Sequence, residues 1–529
     1  MDTKALRQKI LDLAIRGKLV PQDPNDEPAS ALLERIRVEK QQMVKEGKLK
    51  PKDIKNDTVI FKADDNLHYE KFQDGTVKCI EDEIPFELPE GWEWARLKDL
   101  LNVCSSKRVL QSDWKNEGIP FYRAREIVKL SENDFIDNEL FISEEHYLEL
   151  KKNYGVPQSG DLMVSSVGTI GKVYIVKPED LFYYKDASVL CFENKNKLLV
   201  SQFAKILLES SFVQSQMRDN SKGTTVDTIT ISAATNYLCI VPPKNEQLRI
   251  VDAAQRALVK VIQIQSNKDV LQATITNAKS KILDLAIRGK LVPQDPNDEP
   301  VSVLLERIRA EKEGLIKQGK IKRDKKDSVI FKGDDNSYYL RTGKLEESFD
   351  AWQFDNLPET WEICRLGEVC NYGDCINVDT ADIADDAWIL DLDDIEKDTG
   401  RIFKKIKKFQ RNSISTKHQF HSGQVLYSKL RPYLNKVVLS DDDGYCTSEI
   451  LPLEFANCII PEYARYYIMS KTFLAYADRC SYGVKMPRLG TADGKKAIFP
   501  LPPLAEQERI VKRITNVYKQ LDLISNALL

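Results

Sequence analysis

The chain has 529 residues, 42% hydrophobic and 30% charged, with Lys+Arg 78 against Asp+Glu 81. That length exceeds one ordinary core and implies several domains, while the composition excludes disordered and fibrous classes. A net charge of −3 supplies no whole-chain field for nucleic acid, so any such role must rest on local clustering.

The N-terminus, MDTKALRQKILDLAIRGK, scatters charges through its apolar positions, unlike a signal peptide. No apolar run approaches the ~18 residues of a membrane helix, so no membrane role and a cytoplasmic location are expected. Within this opening stretch, Lys9 to Pro28 reads KILDLAIRGKLVPQDPNDEP, and Lys281 to Pro300 repeats the same twenty letters. Gly17 or Gly289 breaks the helical pattern there, and a Pro-rich turn follows. A second amphipathic helix is predicted from about Glu27 to Glu46, and again from about Glu299 to Gln318. Asp26 or Asp298 is its expected cap, with Gly47 or Gly319 just past its end.

Val59-Ile60-Phe61-Lys62 recurs as Val329-Ile330-Phe331-Lys332. Leu88-Pro89-Glu90-Gly91-Trp92, with Arg96-Leu97, recurs as Leu357-Pro358-Glu359-Thr360-Trp361, with Arg365-Leu366. Pro242-Pro243-Lys244-Asn245-Glu246-Gln247-Leu248-Arg249-Ile250-Val251 recurs at Pro502 as PPLAEQERIV. Between these markers residues 98–240 and 367–500 share only islands, such as SGDLMVS from Ser159 and SGQVLYS from Ser422. These inserts read as mixed α/β with short strands, Asp161–Val164 with Lys172–Val176, and Val425–Tyr427 with Lys436–Leu439. The chain is a duplicated pair of helical frames, each holding a different insert. The segments read as 1–84, a helical frame; 85–244, the first insert; 245–350, the central frame; 351–504, the second insert; and 505–529, a closing helix.

From Ile250 the apolar positions run Ile250, Ala254, Ala257, Val261, Ile264, Leu271, Ile275, Ala278, Ile282 and Leu285, broken only at Lys268. That spacing of four and three is a coiled-coil seam, on a helix from about Glu246 to Arg288, roughly 65 Å long. The C-terminus repeats it with Ile510, Ile514, Val517, Leu521, Ile524 and Leu528. By the two repeat offsets Leu529 aligns with Asp269 and Met1 with Ala273. The two ends are therefore expected to make one split helix, antiparallel to the intact one, in a pseudo-twofold circular arrangement. The predicted fold class is α+β, with two α/β domains held apart by a pair of long antiparallel coiled-coil helices.

Catalytic constellations are missing. Gly168-Thr169-Ile170-Gly171-Lys172 has the wrong glycine spacing for a P-loop, and no Ser/Thr follows the lysine. No Asn-Pro-Pro-Tyr or Asp-Pro-Pro-Tyr marks an adenine methyltransferase, and Asp186 with Glu193 and Lys195 only faintly imitates a nuclease set. His418 and His421 could share a helix face, but without a third ligand they read as surface or nucleic-acid-facing. The ten cysteines form no CxxC pair and no zinc spacing, and are expected to be reduced core residues. The chain is predicted to catalyse nothing and to hold no metal or cofactor.

The charges of the second insert are polarised. Asp374 to Asp398 carries ten acidic residues and one base; Arg401 to Lys436 carries ten bases and no acid. A phosphate-facing surface is expected there, with Lys404, Lys405, Lys407, Lys408, Arg411 and Lys429 as candidates. Arg431, and Arg488 after Lys485, are candidates for base edges, since arginine suits bidentate guanine contact. In the first insert the candidates are Lys107, Arg108, Arg123, Arg125, Lys172 and Lys222, with Tyr122 giving aromatic–basic interleaving.

The paired Pro-Pro-x-x-Glu-Gln-x-Arg-Ile-Val motifs at Pro242 and Pro502, and Leu-Pro-x-x-Trp at Leu88 and Leu357, resemble the specificity (S) subunit of type I restriction–modification systems. The resemblance spans essentially the whole chain, and its motifs occur twice in order. One departure is the long N-terminal frame, residues 1–84, where many members begin close to the first insert. The resemblance implies two target-recognition domains, each reading half of an asymmetric, bipartite site in double-stranded DNA, with the paired helices as spacer. A heptad added to both long helices would then widen the gap and leave the half-sites unchanged. It also implies two methylation (M) subunits carrying S-adenosylmethionine, and restriction (R) subunits using ATP and Mg. The alternatives are a stand-alone, two-headed DNA-binding regulator and a coiled-coil scaffold whose inserts bind proteins.

Overall fold

The computed structural model describes all residues except 1, 134, 196, 198, 222–226, 320–327, 334, 336, 352–353, 355, 412–413 and 529. They form two compact units, Met1–Asn267 and Lys268–Leu529.

The first unit opens with helices Thr3–Ile15 and Ala29–Lys45. A three-stranded antiparallel sheet follows, Val59–Lys62, His68–Lys71 and Val77–Cys79, so the frame is not purely helical. The β-branched and aromatic run at Val59 favours a strand. Asn66 and Gly75, both at positive φ, turn the chain back at each end. The second unit repeats this sheet with Ser328–Lys332, Tyr338–Thr342 and Leu345–Ser348.

Each insert begins and ends on one short antiparallel ladder. Glu93–Arg96 pairs with Leu238–Val241 in the first unit, and Glu362–Arg365 with Ile498–Leu501 in the second. Beyond the ladder the first insert holds a four-stranded sheet in the order Asn102–Cys104, Val189–Glu193, Leu162–Ser165, Val173–Ile175. The second places Val425–Ser428 between Val437–Leu439 and Ile450–Leu453. A separate five-stranded sheet there runs from Asn377–Val378 to Ile406–Lys407. All ten cysteines are free; five are buried, four partly so, and Cys79 is exposed on its edge strand.

The repeated motifs form one latch per unit. Trp92 Nε1 donates to Glu246 Oε2 at 2.9 Å, and Gln22 Nε2 to Glu246 Oε1 at 3.0 Å. Gln247 donates to the Pro242 carbonyl and accepts from the Val200 N–H, both at 3.0 Å. In the second unit Trp361 and Gln294 donate to Glu506 at 2.9 and 2.7 Å. Gln507 there donates to the Pro502 carbonyl at 3.1 Å and accepts from the Ile460 N–H at 2.8 Å. The motif is thus a buried polar network whose members satisfy one another.

Asp26 and Asp298 belong to this latch rather than to helix caps. They pair with Arg249 and Arg509, each at 2.5 Å, while Pro28 and Pro300 take the cap positions without a side-chain bond. A guanidinium offers an aspartate a charge-assisted bond, which outcompetes a helix N–H. Gly47 and Gly319 do follow their helices, at φ 73° and 70°. Gly17 is doubly required: its φ is 62°, and a Cβ would lie 2.4 Å from Pro89 Cγ of the Leu-Pro-x-x-Trp motif.

The helix Lys244–Ala286 spans 43 residues. Of its predicted seam, Ile250, Ala254, Val261 and Ile275 are buried, Ala257 and Ile264 partly so, and Leu271 is 38% exposed. Near its end Leu283, Ala286 and Ile287 are the buried positions, because this turn packs into the second unit's core rather than along a partner helix. In the first unit Thr3 Oγ1 donates to Gln265. In the second, Ser525 donates to Gln272 and Tyr518 to the Lys279 carbonyl, both at 2.9 Å, so helix Leu504–Leu528 runs antiparallel to it. No helix among the described residues is long and apolar enough to cross a membrane.

Candidate nucleic-acid interface

The two inserts share one local construction. A hairpin strand, Leu162–Ser165 or Val425–Ser428, leads into a connection that is crossed by the loop following a short helix. In the first unit Val167 bridges Thr228, Gly168 N–H donates to the Asp227 carbonyl at 3.1 Å, and Ile229 N–H to the Ser166 carbonyl at 2.8 Å. In the second, Leu430 bridges Arg488, Arg431 N–H donates to the Pro487 carbonyl at 2.7 Å, and Leu489 N–H to the Lys429 carbonyl at 3.0 Å. The scaffold is the same and its contents differ.

In the second unit this crossing gathers Lys429, Arg431, Lys485 and Arg488. Arg431 and Lys485 are exposed, and neither side chain has a hydrogen bond or ion pair to a described residue. Exposed Tyr433, Tyr482, Val484 and Met486 surround them. Arg431 sits at φ 48°, a left-handed conformation that costs an ordinary L-residue roughly 1–2 kcal/mol. Arg488 is different. It forms a fork with Glu449 through Nε and Nη2, the latter at 2.8 Å, and also donates to the Met486 carbonyl. The Glu449 hydrogen bond raises its pKa. Arg488 therefore braces the crossing loop, its guanidinium held by Glu449.

The basic run from Arg401 also needs correction as a single phosphate-facing surface. It folds against acidic neighbours: Lys408 lies 3.3 Å from Asp385, and Arg411 bonds Asp391 at 2.6 Å and Asp394 closer still. Lys405 pairs with Asp441 at 2.9 Å and lies 4.6 Å above the Trp388 ring. Lys417 is buried, and Lys436 donates to the Leu392 carbonyl. Lys404 and Lys407 stay exposed with no ion pair to a described residue. Strand Ile406–Lys407 pairs with Trp388–Leu390, and this sets Lys408 and Arg411 of the basic run against Asp385, Asp391 and Asp394 of the acidic one.

His418 also departs from the surface reading. It is buried on strand Lys417–Phe420, its Nδ1 2.8 Å from the Ile450 carbonyl oxygen, and burial pushes its pKa down. His421 alone is exposed, beside Asp443.

In the first unit, parallel strands Ile119–Tyr122 and Tyr183–Tyr184 bring two candidate segments together. Lys107 donates its N–H to Tyr183 Oη at 3.0 Å and lies 5.3 Å from the Tyr154 ring; Arg108 beside it is exposed. Arg123 and Arg125 converge on buried Glu126, at 2.8 and 2.9 Å, and Arg125 reaches Glu139 at 2.6 Å. Burial pushes the Glu126 carboxyl up, but the hydrogen bonds from Arg123 and Arg125 outweigh it and hold it low. Both arginines are thus occupied. The spacing of Arg123 and Glu126 on one helix turn could have shown that pair. Lys172 pairs with Glu132 at 2.9 Å, and Lys222 lies outside the described residues.

The profile of the type I restriction modification DNA specificity domain matches residues 89–270 and 358–529. The type I restriction enzyme EcoAI specificity subunit of Escherichia coli is 28% identical, over 97% of this chain and 88% of its own length. The EcoEI specificity subunit of the same organism is 29% identical, over 69% of this chain and 61% of its own length. A solved chain from a study of complex assembly and conformational transition of the type I R-M system is 16% identical, with a TM-score of 0.51, covering 84% of this chain and 94% of that one.

Proposed function

We propose, for a chain that belongs to the type I restriction modification DNA specificity family, that each unit reads one half of an asymmetric, bipartite site in double-stranded DNA. The observation that carries the reading is one scaffold built twice with different contents. The closing ladder, the latch and the crossed connection recur, while the residues displayed at the crossing do not. Identical frames suit identical partners, and different displays suit different half-sites. Exposed Lys107, Arg108, Lys404, Lys407 and Lys485 give salt-dependent affinity through phosphates, and the crossings give sequence.

The frames dock two methylation subunits, which carry S-adenosylmethionine, and restriction subunits, which use ATP and Mg. The chain itself holds no cofactor and acts in the cytoplasm. Its contribution to the reaction is selection of the site and presentation of DNA to those partners.

Each insert is bounded by a ladder of matched register, so it can be exchanged as a module. Replacing Leu97–Tyr237 by a second copy of Leu366–Ala497 is expected to yield a methylated motif whose two halves are the same sequence, inverted. Mapping methylated adenines in a host expressing this chimera with its methyltransferase checks that. A motif that keeps the original first half contradicts it.

A further inference from the structure

We propose that Arg431 reads a guanine in the half-site of the second unit, and that Gly168 leaves the equivalent position of the other half-site unread. This rests on the half-site reading above and deepens it. The equivalence of the two positions is geometric. Val164 pairs with Val173 and Tyr427 with Val437, so Ser165 and Ser428 each begin the connection. Three residues on, Gly168 and Arg431 each donate an N–H to the crossing loop. Both stand in the left-handed region, at φ 75° and 48°.

Glycine is the ordinary occupant of that conformation, and here it is the first unit that has it. A Cβ at Gly168 would meet nothing within 4 Å among the described residues, so the position points away from them. In the second unit the same outward position carries the longest donor side chain available, in a backbone conformation that disfavours it. No hydrogen bond or ion pair to a described residue accounts for its presence. Strain kept at an exposed, unpartnered side chain points to a ligand contact. A planar fork of donors fits the O6 and N7 acceptors of guanine in the major groove. The surroundings suit that task. Arg488, clamped to Glu449, fixes the crossing loop as a positioning residue, and Tyr482, Val484 and Met486 offer apolar contact to neighbouring base edges.

The test uses the chain assembled with its methyltransferase, and a set of duplexes carrying the native site and every single-base substitution of it. The Arg431→Gly variant copies the first unit's residue and removes the strain, so its fold is preserved. Its discrimination is expected to fall roughly 5- to 150-fold at one guanine·cytosine pair of one half, with every other position unchanged. Arg431→Lys, which keeps the charge but not the fork, is expected to lose the same discrimination. Unchanged discrimination in both variants overturns the proposal. So does a uniform loss at all positions, or a lysine variant equal to wild type, since each assigns Arg431 to the backbone or to the loop. Failure of the wild-type chain to direct any bipartite motif is a separate result, and it removes the half-site reading itself.

Discussion

Replacing Lys40 by methionine is expected to destabilise the first unit by about 3–5 kcal/mol near neutral pH. Lys40 Nζ lies 2.9 Å from Asp57 Oδ2, with the two side chains only 9% and 11% exposed, and it also donates to the Lys98 carbonyl. Asp99 belongs to the same cluster, accepting from Thr58 N–H at 2.8 Å and Arg96 N–H at 3.1 Å. Burial pushes the Asp99 carboxyl up to about 6, against its bond from Thr58 and with the Asp57 charge adding to the rise. Burial likewise raises Asp57, and Lys40 opposes it. Removing the ammonium leaves largely buried carboxylates with their main counter-charge gone, and that residual charge is the source of the loss.

The pH dependence follows in sign. Asp99 is raised from 3.8 to about 6, so its contribution to stability is full below pH 4 and is lost as pH rises through 6. The deficit of the methionine variant should therefore be largest above pH 6 and shrink towards pH 4, where the carboxyls are protonated. Urea unfolding of the full chain across this range, with hydrogen exchange in residues 29–104 as the local readout, measures both. A deficit that does not change with pH contradicts the charged-cluster explanation.

The second large effect is expected at the latch. Glu506→Ala strips the acceptor from Trp361 Nε1 and Gln294 Nε2, leaving a buried indole N–H unsatisfied beside a small cavity. A loss of about 3 kcal/mol in the second unit follows. Glu506→Gln keeps the shape and one acceptor, and should cost about 1 kcal/mol at neutral pH. Burial raises the Glu506 carboxyl despite those two hydrogen bonds. Its folded value therefore lies above the unfolded one, and stability is lost as pH climbs through that interval. The glutamine variant cannot ionise and should lack this slope. Denaturation of the two variants and the parent from pH 4 to 8 separates these outcomes.

Duplication made the architecture legible. A motif seen twice, in one order and around unlike inserts, already marked the duplicated frame, and its residues Trp92, Glu246, Trp361 and Glu506 are ones that meet in the latch. The partners within the latch were harder. Asp26 precedes a helix and so reads as its cap, and nothing local reveals that Arg249, more than two hundred residues away, holds it. Glu449 was hidden from Arg488 in the same way, 39 residues along the chain and on a different element. The basic run reads as one phosphate-facing surface, because charge counting along a chain cannot see that a sheet sets Lys408 and Arg411 against the acidic run. The small frame sheets were missed since the strands that share a sheet with Val59–Lys62, His68–Lys71 and Val77–Cys79, are short and mix charged with apolar residues, as does Leu345–Ser348 in the second unit. The left-handed backbone of Arg431 could not be read at all, for an Arg-Pro-Tyr sequence carries no turn signal that demands positive φ.

The most direct measurement is the map of N6-methyladenine in a host expressing this chain with the methylation subunit proposed as its partner, compared with the same host lacking the chain. One asymmetric, bipartite motif that is present with the chain and vanishes without it is the predicted result. A methylation pattern that is the same in both hosts would contradict the account, because the chain would then be directing no methyltransferase to any site.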